Sequence, residues 1–155
     1  KSDIKVIVKE VGQGMGPRSI EALLQMPLAA LDFAASGGTN FALMEILRSS
    51  PEIGKYYQSL VHIGHTSLEM VSLTNQIARD LGDKCLTKQV IISGGITDFL
   101  DGYYLIEQSH LPAIYGQASG FLKHAMGDYS LLQDYISKQI NGLSLAKAYL
   151  KIKSK

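Results

Sequence analysis

Apolar residues along the chain recur at two spacings, and the alternation between them sets out the elements. Ile4 to Val11 is nearly continuously apolar and β-branched, as in a strand buried on both faces of a parallel sheet. Gly12, Gly14 and Gly16 break the run, and Pro17 stands where a helix begins. Ile20, Leu23 and Leu24 then give one packed helical face, which Pro27 ends. Leu28 to Phe33 predicts a second strand, Ser36-Gly37-Gly38-Thr39-Asn40 a glycine loop at its end, and Phe41, Met44 and Leu47, or Leu43 and Leu47, a helix after it. From Arg48 to His65 the pattern reads as a loop, marked by Ser49-Ser50-Pro51 and Gly54. Leu68, Val71, Asn75, Ala78 and Leu81 predict a helix over Thr66 to Leu81. A third strand, Val90 to Ile92, runs into Ser93-Gly94-Gly95-Ile96 and a helix from Asp98 to Ser109, interrupted by Gly102. A fourth, Ala113 to Tyr115, runs into Gly116-Gln117-Ala118-Ser119-Gly120 and a short helix from Phe121 to Met126. Leu132, Tyr135, Ile136 and Ile140 place a helix over Tyr129 to Asn141, and Ser144 reads as the N-cap of a last one.

About four strand-helix units followed by extra helices imply a parallel sheet with helical crossovers, either an open doubly wound sheet or part of a closed α/β barrel. A complete barrel of eight units takes about 250 residues, so these 155 hold half of one. The first residue is Lys1, and the chain enters a strand almost at once; residues upstream are expected to be missing.

A hydrophobic share of 46% supports a real core, and a formal charge of +1 argues against nucleic acid or an anionic membrane as partner. Lys147, Lys151, Lys153 and Lys155 gather at the end, as in the solvated last turns of a helix. The lone Cys85 forms no internal disulfide and reads as an inert thiol. No apolar run approaches the ~20 residues of a membrane span, and a cytoplasmic protein is expected.

The chemistry concentrates where strands end. A strand, paired glycines and a helix start form an arrangement that captures anions: backbone N–H groups approach a phosphate with no Cβ in the way, and the helix adds roughly half a positive charge. Ser93 to Ile96 has this form and Gly116 to Gly120 repeats it, as a barrel does when it holds a phosphate at its C-terminal face; each is also readable as a plain turn. Lys9 lies at a strand end on the face of Ile7 and Val11, either meeting a ligand or extending into solvent. Glu10 points the other way and reads as structural or solvent-facing. Thr39 and Asn40 suit ligand contact or helix capping equally. Asp98 reads as a helix-start residue. His62 and His65, three apart, lack a third metal ligand, and Ser93 lacks the Gly-x-Ser-x-Gly context of a nucleophile.

Val8-Lys9-Glu10-Val11-Gly12-Gln13-Gly14-Met15, Gly37-Gly38-Thr39-Asn40-Phe41, Ser93-Gly94-Gly95-Ile96 and Gly116 to Leu122 together resemble the second half of type 2 isopentenyl-diphosphate isomerase. The resemblance implies a (β/α)8 TIM-type barrel of which this chain supplies about the last four strand-helix units, with residues 1–126 as the C-terminal half of an FMN-binding barrel and 127–155 as helices of the same domain. It implies FMN as cofactor, NADPH as reductant, magnesium with a small-molecule diphosphate substrate, and interconversion of isopentenyl and dimethylallyl diphosphate. A homo-oligomer is expected. By motif, Lys9 would lie against the flavin ring, Thr39 would contact the flavin, and Gly94, Gly95, Ala118 and Ser119 would surround its phosphate. No catalytic residue and no metal ligand is assigned, and the chain alone is expected not to turn over substrate. Where the family usually has Arg, Thr and Gly after Gly95-Ile96, this chain has Thr97, Asp98 and Phe99, which moves the phosphate contact toward backbone amides and Ser119. Two other readings stand beside this one. An FMN-dependent barrel oxidoreductase would be expected to show histidine and arginine where Asn40-Phe41-Ala42 stands. A non-catalytic phosphate- or partner-binding half-barrel would leave two sheet edges open.

Overall fold

The computed structural model describes residues 4–153; Lys1 and Lys155 lie outside the described residues. The order is β1 (Ile7–Lys9), α1 (Pro17–Leu24), β2 (Ala30–Asp32), α2 (Phe41–Arg48), α3 (Pro51–Tyr57), a 3-10 segment (Gln58–His62), α4 (Ser67–Leu81), a second 3-10 segment (Gly82–Lys84), β3 (Val90–Ser93), α5 (Phe99–Gln108), β4 (Ala113–Gly116), α6 (Ser119–Ala125) and α7 (Tyr129–Tyr149). The strands form one parallel sheet in the order β1-β2-β3-β4. The protein is thus mixed α/β with a four-stranded parallel sheet, compatible with part of an α/β barrel.

Register decides which side chains share a face. Lys9 pairs with Asp32, Asp32 with Ile91, and Ile91 with Ile114, so these point to one side and Val8, Leu31, Val90, Ile92 and Tyr115 to the other. The second set, with Phe33, packs with Ile20 and Leu24 of α1, Met70 and Val71 of α4 and Leu105 of α5 into the hydrophobic core. The first face carries no such layer: Ile7 is 54% and Ile114 63% exposed. A doubly wound sheet would bury both faces; helices on one side are compatible with the arc of a barrel.

Several expectations are corrected. β1 is not buried on both faces, because it forms an edge of the sheet and its inner face is uncovered. The stretch read as a loop after Arg48 contains α3, started by the Ser50 hydroxyl accepting the Ile53 N–H and by Pro51 in the first turn. The amide of Asn40 donates to the Val61 carbonyl at 2.7 Å and ties the end of this excursion back to β2. α5 runs through Gly102 unbroken, and α6 begins at Ser119. Ser144 caps nothing: its hydroxyl donates to the Ile140 carbonyl at 2.9 Å inside the continuous α7. Gly142, two residues earlier on that helix, lets the Phe99 ring approach, since a Cβ there would lie 2.5 Å from Phe99 Cε1. Thr66 caps α4 in a reciprocal box with Glu69. Among the described residues no helix is long and apolar enough to cross a membrane.

Candidate functional site

Every strand ends at one open cavity of about 820 Å³. Its wall is built from Lys9 to Gly12 at the end of β1, from Ala34, Ala35 and Gly37 to Thr39 after β2, from Ser93 to Ile96 at the end of β3, and from Gly116 to Ser119 at the end of β4, with Phe41 and Leu122 at the rim. A parallel sheet with helical crossovers collects its strand-to-helix loops at one end. That geometry brings together glycine loops far apart in sequence.

On the cavity floor, Lys9 Nζ donates to Asp32 Oδ2 at 2.7 Å and to Ser93 Oγ at 3.3 Å. The Ser93 hydroxyl donates to Asp32 Oδ1 at 2.5 Å, and the Ala34 N–H points at both acceptors, 3.0 Å from Ser93 Oγ and 3.3 Å from Asp32 Oδ1. Ala34 reaches this position at φ 42°, a left-handed conformation that costs a residue with a Cβ of order 1–2 kcal/mol. Lys9 therefore neither extends freely into solvent nor stands alone at the strand end.

Glu10 closes the loop after β1. Its Oε2 accepts the N–H groups of Gly12 at 2.6 Å, Gln13 at 2.8 Å and Gly14 at 3.0 Å. Burial works to raise its pKa, but the N–H groups of Gly12, Gln13, Val11 and Gly14 together outweigh that and hold the carboxyl below its ordinary value. The structural reading of Glu10 is thus the one its contacts support.

The structure separates Thr39 from Asn40. Asn40 caps α2, its Oδ1 accepting the Leu43 N–H at 2.9 Å, while Thr39 is exposed on the cavity wall. Gly94 and Gly95 have φ of 97° and 69°, and a Cβ on Gly94 would run into the backbone of Ala35. Only glycine fits where the loops after β2 and β3 touch. The Ser67 hydroxyl of α4 donates to the Gly94 carbonyl from behind. Ala118 and Ser119, after the neighbouring β4, also line the cavity, and Gln117 Nε2 donates to the Thr97 carbonyl, joining the two glycine loops.

Asp98 acts as the helix-start residue that the pattern predicts, its Oδ1 accepting the N–H groups of Leu100 at 2.8 Å and Asp101 at 3.1 Å. The start of α5 is therefore occupied by its own cap, and the amides of Gly94 and Gly95 are what that loop offers an anion. Asp101 accepts the Thr97 hydroxyl and N–H, bonds that hold its carboxyl below its ordinary value despite burial. Neither carboxylate lines the cavity, so the Thr97-Asp98-Phe99 departure places no anion on its wall. Cys85 is buried with its thiol directed at the Thr87 carbonyl. Among the described residues no three His, Cys, Asp or Glu gather.

Lys9, Thr39, Gly94, Gly95, Ala118 and Ser119 thus line the same cavity. Asp32 is the residue that the sequence reading missed. An acid inside the apolar run Leu28 to Phe33 was the available signal, because a buried carboxylate requires partners.

No family model matches the chain. Curated relatives do. Proteins of Rickettsia africae (strain ESF-5), Rickettsia felis (strain ATCC VR-1525 / URRWXCal2) and Rickettsia prowazekii (strain Madrid E), each named isopentenyl-diphosphate delta-isomerase, are 31%, 29% and 29% identical over 143 residues. Each match covers 92% of this chain and 39% of the relative. The chain therefore spans about two-fifths of the length of the curated relatives it matches. This corrects the resemblance to the second half of a type 2 isomerase: the matched span is 39% of the relatives, and their name states neither a type nor a flavin.

Proposed function

We propose that this chain forms part of the active-site wall of an isomerase interconverting isopentenyl diphosphate and dimethylallyl diphosphate, and that its cavity takes FMN. The observation that carries the reading is the match along 92% of the chain to proteins named for that isomerase. The cavity supports it, because the residues that the resemblance assigns to a flavin line one space. The open inner face and the unpaired edges at β1 and β4 fit an arc that further strands complete into a closed barrel.

The residues fit the cofactor. Gly94 and Gly95, whose Cβ positions are blocked by the backbones of Ala35 and Ser36, line the cavity, where their backbone amides would face a phosphate. The Ser119 hydroxyl, in the neighbouring loop after β4, would supply a further donor. Lys9, on the floor, places positive charge where an electron-rich ring system would rest, and Thr39 borders it. When bound and reduced, FMN supplies the acid/base chemistry of a 1,3 proton shift. This chain binds and orients the cofactor, with the apolar Phe41 and Leu122 at the rim of its site. The same reading implies NADPH as reductant and magnesium with the diphosphate. The described residues gather no metal-binding cluster, so no magnesium step is derived from them.

The test is a chimera in which this chain replaces the matched segment of the Rickettsia africae isomerase. A folded chimera is expected to convert isopentenyl diphosphate to dimethylallyl diphosphate and to lose about 100-fold in rate on Lys9→Met, the scale of removing one electrostatic contact. A folded chimera that binds flavin but shows no conversion overturns the isomerase assignment.

A further inference from the structure

Three strand ends meet on the cavity floor, and their side chains differ in how far they are fixed. Lys9 closes β1, Asp32 closes β2 directly beside it, and Ser93 closes β3. The Asp32 side chain is 11% exposed, whereas that of Lys9 is 55% exposed. The carboxylate is therefore the anchored member. Its Oδ1 accepts the Ser93 hydroxyl and faces the Ala34 N–H, and its Oδ2 accepts Lys9 Nζ.

A lysine ammonium has three N–H donors and a flexible stem that carries about 2 kcal/mol of rotamer entropy. Here two donors are engaged, by Asp32 at 2.7 Å and Ser93 at 3.3 Å. One remains, and Lys9 lines the cavity. An unheld lysine would offer a ligand a mobile point charge. Paired with a buried carboxylate, it offers one donor and its charge from a fixed place.

We propose that Asp32, together with Ser93, is a positioning residue that fixes the Lys9 ammonium at the end of β1 and turns its remaining N–H toward the ligand. The ligand named in the test rests on the flavin reading; the fixing of Lys9 does not. Asp32 touches no ligand in this account and acts through Lys9 alone. Its removal then matters only while Lys9 is present, which a purely structural carboxylate would not show.

The experiment uses the whole chain in two measurements. The first is side-chain 15N NMR of the lysine ammonium groups without ligand. Lys9 is expected to show restricted motion and slowed proton exchange in the wild type, and the averaged behaviour of a surface lysine in Asp32→Asn. Ser93→Ala, which leaves the Lys9–Asp32 pair, is expected to loosen it partly and serves if Asp32→Asn does not fold. The second is FMN titration in a double-mutant cycle: Asp32→Asn is expected to weaken binding about tenfold with Lys9 present and less than about twofold in the Lys9→Met background. Mobile Lys9 in the wild type, or a restricted signal unchanged in the variants, overturns the inference, as do equal losses in the two backgrounds. A restricted Lys9 signal that the variants release, in a wild type that binds no FMN, supports the positioning role and overturns the flavin reading.

Discussion

Replacing Glu10 with glutamine separates the charge of that side chain from its shape. Its Oε2 accepts three backbone N–H groups, at 2.6, 2.8 and 3.0 Å, across a turn that includes Gly12 at φ 143° and Gly14 at φ 76°. Hydrogen bonds to an ionised acceptor contribute about 1.5–3 kcal/mol each, against about 1 kcal/mol for neutral pairs. Three donors on one half-buried oxygen do not add independently, and glutamine keeps an acceptor. Glu10→Gln is therefore expected to cost about 1–2 kcal/mol near neutral pH. The sign with pH follows from the depressed carboxyl. Burial raises its pKa, and the amides of Gly12, Gln13, Val11 and Gly14 lower it further than burial raises it, to below the ordinary 4.5. The unfolded chain takes up the proton first on acidification. The contribution is complete above the unfolded pKa and is lost as pH falls through the lower folded value. Urea unfolding of both proteins between about pH 7 and about pH 3 measures it. The difference between wild type and variant should shrink toward zero in acid. Asp101 and Glu69, also held low by bonds from Thr97 and Thr66, weaken both proteins alike and cancel. A difference that stays constant with pH would refute the reasoning.

Asn75→Ala is expected to cost about 1–3 kcal/mol in urea unfolding, because the buried Asn75 donates to the Gln108 carbonyl and accepts the His110 N–H, both at 2.8 Å, pinning α4 to the end of α5. A loss below about 0.5 kcal/mol would mean that water replaces both bonds. Gly142→Ala would ordinarily stabilise a helix by about 0.5–1 kcal/mol; here the Cβ would meet the Phe99 ring at 2.5 Å, so overpacking is expected to reverse the sign to a net loss of about 1 kcal/mol. A raised melting temperature would show that the ring simply moves aside.

The glycine loops were legible because strand, glycine and helix start lie next to one another in the chain, and the order of units then dictates that they meet at one end. Legibility fails where an effect depends on distant partners or on what covers a surface. Ile7 looks as buried as Leu31 in the sequence, and the edge position of β1 together with its uncovered inner face exposes it. Asp32 depends on Lys9 and Ser93, which lie 23 and 61 residues away, so nothing local marks it beyond an acid in an apolar run. Thr39 and Asn40 are interchangeable as residue types, and the geometry of α2 alone makes Asn40 the cap. α3 was hidden because its exposed apolar residues, Ile53, Tyr56 and Tyr57, do not form a core-facing stripe, although Ser50-Pro51 was a start signal. Ser144 misleads because a serine hydroxyl satisfies itself on the preceding turn as readily as it caps a new one.

The most direct test of the flavin reading is a visible-absorbance titration of the 155-residue chain with FMN and, in parallel, with riboflavin, which lacks the phosphate. Saturable binding of FMN is expected, at least about tenfold tighter than riboflavin, the order of one charge-assisted phosphate contact. Gly95→Leu is expected to abolish this preference, since Gly95 sits at φ 69°. A folded chain that leaves the flavin bands unshifted, or that binds FMN and riboflavin alike, would contradict the flavin reading.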